Sequence, residues 1–145
     1  MNKLILKKHN ESDDAQFIDL SVVEDGVKHS LFVGRVNLNE FTGWLLEHEK
    51  EIREDEIPFD KARGNSLAEI IYDAYNKLDT DDDELVDKMY NYRSGHCLRF
   101  AARGNDFPEV YIGKAGESYE VSKFSSTESW RYPIDIDDFF CNLKY

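Results

Sequence analysis

The sequence is poor in cysteine and proline, and it contains no long apolar run. Two cysteines, Cys97 and Cys141, are too few for a disulfide framework, which excludes the class of small disulfide-stapled secreted domains. No stretch approaches the roughly 18 apolar residues of a membrane-spanning helix, and the N-terminal residues lack the apolar core of a signal peptide. We therefore expect a cytoplasmic protein with reduced thiols.

Motifs that bind nucleotides or metals are also absent or incomplete. Neither Gly-x-x-x-x-Gly-Lys nor Gly-x-Gly-x-x-Gly occurs. Segment 79–83, Asp-Thr-Asp-Asp-Asp, is similar to the opening of an EF-hand loop, but Glu84 and Tyr90 stand where that loop requires glycine and glutamate. The acids of this segment are more typical of a helix N-terminus, where they complement the helix dipole. The sequence predicts no metal site and no cofactor.

The histidines and cysteines do not form a catalytic or zinc-binding pattern. His96 and Cys97 are the one adjacent pair of base and nucleophile, but on the strand that we predict here their side chains point to opposite faces. This geometry favours a rim histidine and an inert cysteine. His48 lies on the apolar face of a predicted helix, which favours a core or boundary position over metal ligation.

Basic residues are outnumbered, with 18 Lys and Arg against 30 Asp and Glu, and the formal net charge is -12. This balance disfavours nucleic acid and anionic membranes as partners and favours a basic partner. Arg93, Arg99 and Arg103 form the one compact basic patch, which is too small to reverse that expectation.

The sequence contains enough apolar residues to form the core of a single folded domain, which we expect to cover residues 1–145. The hydrophobic fraction is 41% and the aromatic fraction 13%, which is too high for a disordered acidic chain. On folding, a chain of this length can bury about two thirds of the surface that the unfolded chain exposes, without disulfides or metal ions to stabilise it.

The first 36 residues predict a three-stranded antiparallel meander, with strands at 4–6, 15–23 and 27–36. The apolar positions of the second strand have a period close to two: Phe17, Ile18, Leu20 and Val22. The Asp25-Gly26 pair accepts positive φ and predicts a tight hairpin before the third strand.

Three helices are predicted next. We expect Asn39 to cap the first helix and Pro58 to end this segment. The apolar face of the helix comprises Phe41, Leu45, His48 and Ile52, with Trp44 beside it. Ser66 and Glu69 have capping-box spacing and begin the second helix. Asp81 and Glu84 repeat this spacing before a third helix with apolar positions at Leu85, Val86, Met89 and Tyr92.

Alternation with period two returns from His96 and predicts strands at 96–103, 109–113 and 118–124. Asp135 or Asp137 then begins a short C-terminal helix. The predicted fold class is α+β, a mostly antiparallel sheet with helices packed on one face, in the order βββ-ααα-βββ-α.

Negative charge is concentrated in segment 47–87, which holds 15 of the 30 acids and only 5 of the 18 Lys and Arg. Tyrosines are interleaved with these acids. They either edge the core or act as exposed anchors at an interface. The predicted partner-binding residues are Glu47, Glu51, Glu54, Asp55, Asp81, Asp82, Asp83, Glu84, Asp87, Tyr90 and Tyr92, with Trp44 as a further anchor if it is exposed.

The combination of small size, acidity, α+β pattern and lack of a catalytic motif resembles the bacterial immunity proteins of contact-dependent inhibition and polymorphic toxin systems. The resemblance implies a monomeric, non-enzymatic cytoplasmic protein that neutralises a cognate basic toxin domain, most simply a nuclease, by occluding its active-site cleft. Two alternatives remain open: a small enzyme with a pocket near His96, Cys97 and Arg99, and a non-catalytic ligand-binding or accessory domain.

Overall fold

The computed structural model describes residues 2–10, 16–57, 66–77, 83–102 and 107–144. The elements run β1 (Lys3–Asn10), β2 (Gln16–Glu24), β3 (Val27–Val36), α1 (Leu38–Glu47), α2 (Glu49–Glu54), α3 (Leu67–Lys77), α4 (Asp83–His96), a 3₁₀ helix (Leu98–Ala101), β4 (Tyr111–Ala115), β5 (Ser118–Phe124), β6 (Ser129–Ile134) and α5 (Ile136–Lys144). The α+β class is confirmed, but within the described residues the strands form two separate three-stranded antiparallel sheets, and four α-helices rather than three lie between them.

The N-terminal sheet is the predicted meander, with β2 in the centre. Asp25 and Gly26 have φ values of 51° and 79°, the two positive angles of a two-residue hairpin turn. Ile18, Leu20 and Val22 of β2 are fully buried. Leu4 of β1 is also buried and lies opposite Val22 in the register, so this strand pair contributes one apolar face to the core.

The predicted first helix is present as two helices joined at His48. The peptide N–H of His48 bonds to the Trp44 carbonyl at 3.0 Å and that of Ile52 to the His48 carbonyl at 2.9 Å, so the chain continues in nearly the same direction. The predicted cap at Asn39 is wrong, because the Asn37 side chain accepts the N–H of Glu40 at 3.1 Å. Helix α1 therefore begins two residues earlier and buries Leu38.

The prediction of a strand at 96–103 is wrong in its described part. Helix α4 continues to His96, and Leu98–Ala101 forms a 3₁₀ turn. The same residues also fit a 3₁₀ helix, because Leu98 and Ala101 are three residues apart and such a spacing places two side chains on the same side of a 3₁₀ turn. Both side chains are buried.

The C-terminal sheet has the order β4-β5-β6, and β6 was not predicted. Pro133 argues against a central strand, but β6 is an edge strand, where proline is tolerated because one side of the strand needs no ladder hydrogen bonds. The predicted strand at 109–113 begins two residues later, at Tyr111, and the strand at 118–124 is confirmed.

The main core joins both sheets with α1, α2 and α5. Asp135 caps α5, since its carboxylate accepts the N–H of Asp138 at 3.0 Å, which decides between the two predicted starts. A second cluster lies between α3, α4 and the C-terminal sheet and includes Leu67, Ile71, Tyr92 and Tyr111. None of the helices in the described ranges has the length and hydrophobicity needed to cross a membrane.

Helix α3 is fixed to the C-terminal sheet through its N-terminal N–H groups. The predicted cap is confirmed, because Ser66 Oγ accepts the N–H of Glu69 at 3.1 Å. Two further caps come from β5: Glu120 Oε2 accepts the N–H of Leu67 at 3.0 Å, and Ser122 Oγ accepts the N–H of Ala68 at 3.1 Å. The first three N–H groups of the helix are therefore satisfied by side chains, two of them from a distant strand.

Candidate functional site

A surface cleft of about 940 Å³ lies between α1, the middle of α4 and the 3₁₀ helix. It is lined by Glu40, Gly43, Trp44, Glu47, His48, Tyr90, Ser94, Phe100 and Ala101. Three of these residues are aromatic, two are acidic, and none of the lining residues is lysine or arginine. The cleft thus brings the predicted residues Glu47 and Tyr90 together, although 43 positions separate them in the sequence.

One wall of the cleft is formed by α1. Glu40, Trp44 and Glu47 lie at i, i+4 and i+7, which places them on one face of the helix. The Trp44 ring packs against the His48 ring with 4.6 Å between centroids. Glu40 and Glu47 are exposed, and in the described part of the chain neither forms an ion pair.

The other wall is formed by α4. Asp83, Asp87, Tyr90 and Ser94 follow one face of this helix at i, i+4, i+7 and i+11. Tyr90 is 63% exposed and is therefore available as an anchor. Glu84, also exposed, pairs with Lys88 one turn later at 3.3 Å. The predicted residues Asp81 and Asp82 lie outside the described residues.

The predicted partner-binding acids at the end of the first predicted helix, Glu47, Glu51, Glu54 and Asp55, divide into two groups. Glu47 and Glu54 are exposed. Glu51 instead faces α4, with its Oε2 buried 3.7 Å from His48 Nδ1 and without a hydrogen bond in the described structure. Asp55 faces the same way, and its Oδ2 lies 3.5 Å from His96 Nε2. These two carboxylates are therefore close to histidines of the same chain, although their side chains remain 45% and 49% exposed.

Tyr92 is only 4% exposed, so its prediction as an exposed anchor is wrong. Its ring stacks on His96 with 4.0 Å between centroids and an interplanar angle of 12°. Burial, together with the nearby Glu120 and Asp55, raises the pKa of Tyr92. Helix α4 has Tyr90 and Tyr92 on different sides, because two residues correspond to about 200° of rotation.

His96 is fully buried rather than a rim histidine. Its Nδ1 lies 2.9 Å from the carbonyl oxygen of Ile112, to which it donates as N–H. The ring occupies the space beside Gly113, where a Cβ atom would lie 2.8 Å from Nδ1. Burial lowers the pKa of His96, while the Ile112 and Asp55 contacts partly oppose that shift.

We expect this buried histidine to destabilise the protein in mild acid. The unfolded histidine binds a proton below about pH 6.5, whereas the folded ring resists protonation, so the free energy of unfolding should fall by up to about 1 kcal/mol between pH 7.5 and 5.5. Asp55→Asn should enlarge the loss, because it removes a charge that favours the imidazolium. Urea unfolding at both pH values measures this. His96→Gln should remove the histidine contribution, and an unchanged pH dependence in that variant would contradict the assignment.

The geometry does not support a catalytic pair at His96 and Cys97. Both side chains are fully buried, and neither lines the cleft. Burial raises the pKa of Cys97 to about 11, which opposes formation of the thiolate nucleophile. Arg99 is exposed and, like Arg93, pairs with Glu109, while Arg103 lies outside the described residues.

The two thiols should differ in reactivity. Cys141 is exposed, whereas Cys97 is buried. At pH 8 we expect a thiol-specific reagent to modify one cysteine of the native protein within minutes and the second at least about 100-fold more slowly, at the rate of unfolding. Mass spectrometry of the modified peptides identifies each site. Fast labelling of Cys97 would contradict its burial and would support the alternative of a small enzyme that uses this thiol.

Sequence reasoning missed Glu40, His48 and Phe100 as lining residues of the cleft. The signal for Glu40 was available, since Glu40, Trp44 and Glu47 have helical spacing once α1 begins at Leu38. The position of Phe100 in the cleft could not be predicted from the sequence, because it depends on the 3₁₀ turn that replaces the expected strand.

No group of three or more His, Cys, Asp or Glu side chains within the described ranges is arranged to hold a metal ion. Comparison with known proteins found no matching family model, no similar curated protein and no similar solved structure.

Proposed function

We propose that this chain is an immunity protein that binds a basic toxin domain, a nuclease in the simplest case, and covers its active site. The observation that carries this proposal is the acidic, aromatic cleft between α1 and α4, which has no lysine or arginine among its lining residues. A nuclease has a basic active-site surface because it binds phosphates. An acidic surface that faces such a site competes with the nucleic acid.

Exposed carboxylates on α1, α2 and α4 supply long-range attraction. Glu47 and Glu54 lie on the α1–α2 side, and Asp83 and Asp87 on the α4 side. Concentrated charge of one sign raises association rates by about 10- to 1000-fold and fixes which partners are accepted. Exposed ion pairs by themselves contribute little affinity, about 0–1 kcal/mol each.

Affinity therefore has to come from side chains that lose contact with water in the complex. Tyr90 is exposed and Trp44 is partly buried, and both line the cleft. Tyrosine and tryptophan are the residue types most often found as energetic centres of interfaces. The arrangement of aromatic centre and acidic rim is the one expected for a protein-binding surface.

The test is co-expression with a candidate basic toxin domain encoded by a neighbouring gene. We expect restored growth, a one-to-one complex by size-exclusion chromatography, and nuclease inhibition that is lost in the Trp44→Ala/Tyr90→Ala double variant. Circular dichroism must show that this variant is folded. If the neighbouring gene encodes no basic toxin, or the purified proteins do not bind, the proposal is wrong.

A further inference from the structure

We infer that the cleft between α1 and α4 receives one arginine side chain of the partner, with its guanidinium against Trp44 and between the carboxylates of Glu40 and Glu47. This inference rests on the proposed function and specifies the chemistry of the contact. It follows from the arrangement of three side chains on one face of α1, from the opposing tyrosine of α4, and from the charge of the lining.

The aromatic part of the cleft favours a planar cation. Trp44 has the electron-rich face that binds cations best, and His48 supports one side of this ring at 4.6 Å between centroids. Tyr90 supplies a second, largely exposed ring from the opposite wall. A guanidinium is flat and weakly hydrated, so it stacks on such rings better than the strongly hydrated ammonium of lysine.

The charged part of the cleft favours the same group. Glu40 and Glu47 lie four residues before and three residues after Trp44, so the two carboxylates flank the indole at about one helical turn on each side. Neither forms an ion pair in the part of the chain that the structure describes. A guanidinium above Trp44 can donate N–H groups to either carboxylate, which an apolar or anionic side chain cannot do.

The protein already contains small examples of this chemistry elsewhere on its surface. The Arg53 guanidinium lies 5.2 Å from the Phe140 ring centroid and bonds to Asp137 at 2.6 Å. Arg93 lies 5.6 Å from the Tyr75 ring centroid and pairs with Glu109. In both places an arginine lies close to an aromatic ring and pairs with a carboxylate. The cleft has the same two components but no arginine among its lining residues.

The size of the cleft indicates that the arginine belongs to a larger partner. A volume of about 940 Å³ exceeds what one side chain fills and leaves room for the flanking main chain. A free small cation would leave much of this volume to water. An arginine that projects from a folded basic domain would fill the inner part, with the rim available to its neighbouring residues.

The experiment uses the two tryptophans as site and control. N-acetyl-arginine methylamide is titrated into the ¹⁵N-labelled full chain, and the two indole N–H signals are followed by NMR. Trp44 lies in the cleft, whereas Trp130 lies on β6 and does not line it. We expect a saturable shift of the Trp44 signal and no saturable shift of the Trp130 signal.

Two matched probes isolate the guanidinium. N-acetyl-citrulline methylamide has nearly the same shape without the charge and should give no saturable shift. N-acetyl-lysine methylamide keeps the charge without the planar group and should bind at least about threefold more weakly. Glu47→Gln and Tyr90→Ala, both at exposed positions, should each weaken arginine binding by at least about threefold without unfolding the protein.

The inference is overturned if arginine and citrulline probes shift the Trp44 signal equally, if both indole signals shift together, or if the arginine probe gives no saturable shift. These results are separate from those that test the proposed function. If the arginine probe fails but the toxin domain still binds, only the arginine assignment is wrong. If the probe binds but no basic toxin forms a complex, the immunity function is wrong and the arginine site remains.

Discussion

Replacing Glu120 with alanine is expected to lower the free energy of unfolding by about 3 kcal/mol. Glu120 is 2% exposed, and its two oxygens accept from the N–H of Leu67 at 3.0 Å and from Arg131 at 2.7 Å. The truncation removes both charge-assisted hydrogen bonds and leaves the first N–H of α3 buried without its acceptor. Urea denaturation of the wild type and the variant measures the loss.

Graded variants show whether this loss comes from the cap. Glu120→Gln keeps an acceptor for Leu67 but removes the charge that binds Arg131, so it should cost less than the alanine change. Ser122→Ala removes the neighbouring cap and should cost about 1 kcal/mol. Glu117→Ala, on the exposed turn before β5, is the control and should stay within about 0.5 kcal/mol of wild type. Equal effects at Glu120 and Glu117 would contradict the role of the cap.

Reversing charge at Glu47 in the cleft and at Glu54 on the neighbouring helix α2 should slow association with the proposed basic toxin domain. We expect Glu47→Lys and Glu54→Lys each to reduce the association rate constant by about 10-fold at low salt, and together by about 100-fold. Both side chains are exposed and form no ion pair in the described structure, so the substitutions should leave folding stability nearly unchanged. Stopped-flow fluorescence measures the rates, since Trp44 lines the cleft and its fluorescence should change when the partner binds.

Salt dependence separates steering from other effects. At about 1 M salt the screening length falls to about 3 Å, and the difference between wild type and variants should largely disappear. Glu117→Lys makes the same change in net charge on the β4–β5 turn, outside the residues that line the cleft, and should slow association less than Glu47→Lys. Equal slowing by Glu47→Lys and Glu117→Lys would show that net charge alone controls the association rate, and it would contradict a role of the cleft in steering the partner.

Much of the local structure could be predicted because it is decided by neighbours in sequence. The Asp25-Gly26 turn, the Ser66 cap and the strand at 118–124 each depend on a short pattern, and each is confirmed. The errors occur where two local patterns compete. Residues 98–101 fit both a strand and a 3₁₀ turn, and burial of Leu98 and Ala101 selects the turn.

The candidate site could be predicted only in part. Glu47 and Tyr90 were both identified, since exposed acids and a helical tyrosine are visible in the sequence. Tyr92 was misplaced as an exposed anchor although it lies three residues after Met89 on the predicted apolar face of the helix, a spacing that favoured burial. Its ring stacks on His96 of the same helix, and both rings lie close to Gly113 of β4, a contact between elements that no local pattern shows.

The sequence by itself determined the class of the protein, because composition and periodicity act within each segment. A chain with 30 acids, 18 Lys and Arg and 41% hydrophobic residues folds as an acidic domain, and alternating and helical periods mark the order of strands and helices. Only the tertiary structure decided which acids face solvent together. Packing of α2 against α4 brought Glu51 close to His48 and Asp55 close to the buried His96, and it left Glu47 at the cleft with Tyr90. The contact of Asp55 with His96 and that of Glu47 with Tyr90 across the cleft join residues that no local pattern connects.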